Sequence, residues 1–315
     1  MTNKIEFTSV HAPFNVHDAI RIYNECAEYY MNYIVKYNIK KIELRNVIDT
    51  GFLKKCNNIS HLSYFLPNNM LNKYDSKVSN NVIVLCLDGI HSLVCLKQLN
   101  LIEGDDGIKI NQKIDLACFQ ELEYLSSSYH RIKNLEKTKN VRTLVLNYYD
   151  EENLDSISKL YELDTLKLTS SKIRELSGMS YLKRMQCLYL FYNRQLSDIS
   201  SLVTIKKTLK TLVIENCPKI QNFSVLSQLE NLEHLELVGN NNIPDLSFLK
   251  NMKNLKTLII SMNVLDGDLS LCLDIPYVYI LKGRKHYNYS DKHMRKEKDK
   301  YAKGNENIPE WRRLY

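Results

Sequence analysis

The side chains best able to do chemistry are eight cysteines: Cys26, Cys56, Cys86, Cys95, Cys118, Cys187, Cys217 and Cys272. A thiolate is both a nucleophile and a soft metal ligand, so its spacing from other ligands decides which role is open. No two of these cysteines form a CxxC pair, which removes the usual zinc and dithiol signatures. Met1–Val10 lacks the apolar stretch of a secretory signal, and no run of about 18 apolar residues occurs. Buried, reduced thiols in a cytoplasmic protein with no membrane association are therefore the expectation. His286 and His293 lie seven residues apart without a third ligand nearby, so no metal is expected. The sequence has no GxGxxG, GxxxxGK[ST], GxSxG or HExxH. Neither an enzyme nor a cofactor is expected.

What does recur is leucine. The 315 residues hold 45 Leu and 32 Asn but only 9 Gly and 6 Pro, and 44% hydrophobic content is enough to fill a core. Residues 1–50 contain one leucine, whereas residues 151–250 contain twenty. An apolar-xx-apolar-x-apolar frame fits Val141-Leu144-Leu146, Leu163-Leu166-Leu168, Met185-Leu188-Leu190, Leu209-Leu212-Ile214, Leu232-Leu235-Leu237 and Leu255-Leu258-Ile260, with a partial copy at Leu122 and Leu125. From Leu125 through Leu144, Leu166, Leu188, Leu212 and Leu235 to Leu258, the steps are 19, 22, 22, 24, 23 and 23 residues. A second block follows in register. Asn193, Cys217, Asn240 and Asn263 lie five residues past the reference leucine, and Asp198, Asn222 and Asp245 begin the next recurring stretch.

With two independent blocks in register over roughly residues 80–282, the chain resembles the leucine-rich-repeat family, in particular its 22-residue internalin-like bacterial type. That resemblance implies an α/β solenoid: a curved horseshoe with a parallel β-sheet on its concave face and short helices or 3-10 turns on its convex face. The residue types agree with it. Alternate strand side chains point inward, so the two leucines of LxL enter the core while their neighbours face out. A coil cannot bury its leucine face alone, but stacked coils bury it for one another. Asn193, Cys217, Asn240 and Asn263 would form a ladder of short polar groups bonded to the turns. Asp198, Asn222 and Asp245 suit the start of a helical turn.

Three regions follow. Residues 1–80 are expected to be a helical N-terminal cap. Its helix starts at Asn15 and Asp18, runs through Ile20, Tyr23, Cys26/Ala27, Tyr30, Ile34 and Tyr37 as a packing stripe, and precedes a first strand at Ile39, Ile42 and Leu44. Residues 81–282 form an array of about eight or nine coils. Residues 283–315 form a basic tail or cap, with a charged helix from Ser290 to Lys303 stopped by Gly304, and the only tryptophan at Trp311. From Lys282 onward there are eleven Lys/Arg and five Asp/Glu, so this end holds +6 of the formal +7.

Without enzyme signatures, function falls to the concave surface. Its candidate partner-binding residues are Tyr124, Tyr129, Tyr148, Tyr189, Phe191, Tyr192, Glu215, His234 and Glu236. Aromatic side chains give large contact area at little cost in rotamer freedom. The expected function is a non-enzymatic scaffold that binds a protein partner on that face, with an inhibitor or immunity-type protein as one concrete version. The alternatives are an exported effector that binds host proteins, and nucleic-acid binding through the tail. The near-neutral array argues against nucleic acid. Oligomeric state and the partner's identity are open.

Overall fold

A computed structural model of the protein describes residues 7–8, 19–23, 27–67, 82–103, 109–110 and 112–293. The Asn15 and Asp18 helix start, Cys26, Gly304 and Trp311 lie outside them. The chain divides into two compact units, Met1–Leu144 and Val145–Arg313, and the strand Thr143–Asn147 straddles the division.

In the first unit the strands Ala19–Tyr23, Lys41–Arg45, His61–Phe65, Gln98–Ile102 and Tyr124–Ser128 pair in parallel, each with the next. The register sets Ile20 against Ile42 against Leu62 against Leu99 against Leu125, and all five are buried. Parallel strands therefore already recur inside the stretch expected to be a cap. A continuous helix from residue 15 to 37 is not found. Ala19–Tyr23 is a strand, and the helix covers only Ala27–Lys36. Ile20 and Ile22 alternate as a strand requires, and pairing with Ile42 and Leu44 decides between the two periods. The helix buries Tyr30 and Ile34, four residues apart on one face, while Tyr23, Tyr29 and Tyr37 remain exposed. Asn38, in the left-handed conformation, ends it, and Ile39 N–H returns to Ile34 C=O at 3.0 Å.

The second unit repeats one coil. Thr165–Thr169, Cys187–Phe191, Thr211–Glu215, His234–Val238, Thr257–Ile260 and Tyr277–Ile280 pair in parallel in unbroken register. Leu166, Leu188, Leu212, Leu235 and Leu258 form one buried row, and Leu168, Leu190, Ile214, Leu237 and Ile260 the next. After each strand the chain turns through a polar residue. Asp198, Asn222 and Asp245 each use Oδ1 to accept the N–H two residues on, at Ser200 (2.7 Å), Ser224 (3.0 Å) and Ser247 (2.7 Å). Those serines open 3-10 helices at Ser200–Ile205, Ser224–Gln228 and Ser247–Asn251, which return the chain to the next strand.

The last coil is sealed by the chain that follows it. Tyr287 Oη accepts Val264 N–H (3.0 Å) and donates to Met262 C=O (3.2 Å). Asn288 Oδ1 accepts Leu269 N–H (2.9 Å), and Asp291 Oδ1 accepts Ile280 N–H (3.1 Å). Side chains thus supply the hydrogen bonds that another coil would otherwise give. Gly267 makes this approach possible. Its φ is 70°, and a Cβ placed there would lie 2.3 Å from His286 O. Asp291–His293 is helical, and the remainder of the expected Ser290–Lys303 helix lies outside the described residues.

Candidate protein-binding surface

The coil register sorts the outward side chains of the second unit into three rows. Thr165, Cys187, Thr211, His234, Thr257 and Tyr277 form the first; Lys167, Tyr189, Val213, Glu236, Ile259 and Tyr279 the second; Thr169, Phe191, Glu215 and Val238 the third. Strands about 4.8 Å apart bring neighbouring outward side chains into contact with one another, so facing outward does not guarantee exposure.

That crowding leaves three of the expected contact residues buried. Phe191 is only 3% exposed. The Tyr189 ring stacks beside it, with centroids 6.4 Å apart and planes 6° from parallel, and the Lys167 ammonium sits 4.9 Å from its ring centre. His234 and Glu236 are 8% and 5% exposed, and Glu236 stands in register between the buried Val213 and Ile259. His234 Nε2 and Glu236 Oε2 are 4.0 Å apart. These three side chains support the surface and offer a partner little area.

Tyr148 and Tyr192 are different. They are 58% and 45% exposed, and each lies one residue past a strand, with φ of 56°. In the coils beside them Ser170 and Asn216 hold the same left-handed position. The backbone reason is the ladder: Tyr148 N–H donates to Thr169 C=O, Ser170 N–H to Phe191 C=O, Tyr192 N–H to Glu215 C=O and Asn216 N–H to Val238 C=O, all at 2.8–2.9 Å. Left-handed φ suits Asn and Gly and costs a bulky residue roughly 1 kcal/mol or more. Tyr148 and Tyr192 are thus two coils apart, about 10 Å, with the small Ser170 between them. Tyr192 Oη donates to Glu215 Oε1 at 3.1 Å, and Asn216 Nδ2 donates to the same oxygen at 3.3 Å. Burial lowers the Lys167 pKa, and the nearby Glu215 carboxylate opposes that shift. Burial, reinforced by Cys187, raises the Tyr189 phenol well above its ordinary value, so it stays protonated.

Tyr124 and Tyr129 belong to the first unit. Tyr124 is half-buried on its strand, and burial raises its pKa against the hydrogen bond from Ser126. Tyr129 is half-buried in the 3-10 turn Tyr129–Arg131 and lacks the left-handed backbone of Tyr148 and Tyr192.

At the turn, the Asn193 amide is fully buried. Its Oδ1 accepts Ser171 N–H (2.9 Å), and its Nδ2 donates to Leu168 C=O (3.1 Å). Cys217 donates its thiol to Leu190 C=O (3.6 Å), and burial pushes its pKa up to about 12, so it is no nucleophile. Asn240 is not in the ladder; it is exposed. After Gly239, with φ of 144°, the inward position falls one residue later, and Asn241 turns inward instead, donating to Cys217 C=O (3.0 Å) and Ile220 C=O (2.9 Å). Asn263 is half-buried, pairs in parallel with Asn242 and donates to Asn242 Oδ1 (2.9 Å). A further asparagine set escaped the sequence reading. Asn140, Asn231 and Asn254 each precede a reference leucine by four residues and donate to a backbone carbonyl of the preceding coil, at 2.8, 3.0 and 2.9 Å. The constant offset was the available signal.

Among the described residues, no cluster of three or more His, Cys, Asp or Glu could hold a metal ion, and no helix is long and apolar enough to cross a membrane. No family model matches the chain. Over 149 residues it is 26% identical to the disease resistance protein UNI of Arabidopsis thaliana, a stretch covering 46% of this chain and 17% of that protein. Among solved structures it is similar to an internalin, inlF, of Listeria monocytogenes, with a TM-score of 0.52 at 14% identity, covering 90% of this chain and 85% of that one. The functional domain of InlJ from the same organism, described as including a cysteine ladder, gives a TM-score of 0.55 at 15% identity over 90% of this chain and 57% of the other. The chain of a TLR13–ssRNA13 complex gives 0.54 at 17% identity over 84% and 44%. The leucine register, the parallel strands, the polar turn ladder and these likenesses agree: the chain carries the leucine-rich-repeat fold, in the form seen in the internalins.

Proposed function

We propose that the protein is a non-enzymatic scaffold that binds a protein partner on the outward strand face of its second unit. The observation that carries this reading is the pair Tyr148 and Tyr192. Both are large, exposed aromatics in a left-handed backbone conformation that favours Asn or Gly, and Ser170 and Asn216 hold it in neighbouring coils. Local strain retained at an exposed position points to a use beyond folding. The two rings flank Ser170, and Phe191, Tyr189 and Lys167 support the floor beside them. Exposed aromatics beside a rigid, packed floor are common anchors of protein interfaces. The pair-wise burial of the floor means that binding there requires little reorganisation. An inhibitor or immunity-type role is one form this takes, and an exported effector is another.

The test is affinity capture from the source cell's lysate with the wild-type chain and with Tyr148→Ala/Tyr192→Ala, followed by mass spectrometry. The proposal expects protein partners that the double variant loses while its circular dichroism is unchanged. Recovery of the same partners by both would overturn it. Nucleic acid retained by both forms, and released steeply as salt rises, would favour the tail instead.

A further inference from the structure

The outward face of the first unit has a different chemistry. On its strands Ala19–Tyr23, Lys41–Arg45 and His61–Phe65 the outward register positions are Ala19, Arg21 and Tyr23; Lys41, Glu43 and Arg45; and His61, Ser63 and Phe65. Three cations and one carboxylate leave +2 on this small area, whereas the outward positions of the second unit hold one Lys and two Glu. The lone carboxylate is spent internally. Glu43 is 1% exposed and accepts Arg21 Nε at 2.7 Å and the Nε of Arg45 as well. Two guanidiniums carry ten N–H donors, more than one carboxylate can accept, and Arg21 also bonds the Tyr23 hydroxyl. The Arg45 guanidinium also lies on the Phe65 ring, 4.0 Å from its centre, so its plane is fixed while a third of its side chain stays exposed. Lys41 stands in register between Ala19 and His61, half-buried, and the His61 pKa is lowered by burial and by Lys41.

We infer that this face is a second binding surface, and that it takes an acidic segment of a partner protein, whose carboxylates meet Arg45, Arg21 and Lys41 while its apolar side chains rest on Tyr23 and Phe65. Charge complementarity carries the choice of occupant, and Glu43 already displays how a carboxylate sits between the two guanidiniums. A fixed, planar guanidinium reads a carboxylate through paired N–H donors, with its orientation settled in advance. Nucleic acid fits less well, because its affinity grows with the number of phosphates neutralised, and three clustered cations neutralise few. This surface shares no residue with the Tyr148 and Tyr192 face, so either can fail alone.

Fluorescence anisotropy on the full chain tests it, using a labelled peptide that alternates Glu and Tyr, its Gln/Tyr counterpart and an oligothymidylate of similar length. The Glu/Tyr peptide is expected to bind about tenfold or more tighter than either other probe, and to weaken as salt screens the face. Arg45→Gln and Lys41→Gln are each expected to weaken it about tenfold. Because Arg45→Gln also disturbs the buried Glu43, Lys41→Gln provides a variant whose fold does not depend on that contact. Tyr148→Ala/Tyr192→Ala is expected to leave this binding unchanged. Equal binding of the Gln/Tyr peptide, no effect of Lys41→Gln, loss of binding in the tyrosine variant, or oligothymidylate binding as tightly would each overturn the inference.

Discussion

Tyr148 and Tyr192 show a conflict between local backbone preference and surface chemistry. Replacing either with Asn relieves the left-handed strain, so each single variant is expected to gain roughly 0.5–1 kcal/mol in a denaturant titration while partner affinity falls. Loss of stability in both variants would show that the rings serve folding. The turn amides behave in the opposite way. Asn193→Ala strips the Ser171 N–H and the Leu168 C=O of their partner in a buried site, and a loss of about 3 kcal/mol is expected. Asn241→Ala should cost a comparable amount, and the exposed Asn240→Ala no more than about 0.5 kcal/mol. Urea titration of the three variants separates them. The Asn240/Asn241 pair also shows where sequence stops being legible. Both are asparagines, and the backbone path through Gly239, at φ of 144°, decides which one turns inward. The burial of Phe191 was hidden for a related reason: alternation gives the direction of a side chain, while the Tyr189 and Lys167 that cover it come from its own and the neighbouring strand.

At the level of the coil, the leucine frame translates directly into strands, because each reference leucine is both the periodic signal and the buried row. Ala19–Tyr23 escaped since Ile20 and Tyr23 fit a helical spacing as well as a strand, and only pairing with Lys41–Arg45 separates the two. The polar turns between strands have their own signature in acid. Asp115 accepts Asn134 Nδ2 (2.8 Å) and Ala117 N–H (3.0 Å) and pairs with Lys133 (3.1 Å). These contacts, the Asn134 bond foremost, hold its pKa down at about 2 from 3.8. A depressed carboxylate stabilises the fold above its unfolded value and loses that contribution as pH falls through the folded one. Stability should therefore fall between about pH 4 and pH 2, and Asp115→Asn should flatten that part of the curve, as followed by thermal melts across the range. The closing segment offers a second test at this scale. Gly267→Ala puts a methyl group against His286 O in a strained backbone, so the segment around Tyr287 and Asn288 should detach. Faster amide exchange at Val264, Leu269 and Ile280 is the expected readout, and unchanged exchange at those three amides would show that the segment does not hold the last coil.

Taken as a molecule, the chain presents two outward strand faces with different chemistry: a basic one with Arg21, Lys41 and Arg45, and an aromatic one around Tyr148 and Tyr192. The overall charge of +7 conveys neither, since most of it lies from Lys282 onward. Scaffolds of stacked coils keep their surface fixed by the core beneath, so surface residues can specialise without endangering the fold. The central claim is that the aromatic face carries the affinity for a protein partner. Its most direct test is isothermal titration of the captured partner against the wild-type chain and Tyr148→Ala/Tyr192→Ala. Two anchors worth about 2 kcal/mol each predict a loss of affinity of about a thousandfold with an unchanged thermal midpoint. An affinity equal to that of the wild type would contradict the account.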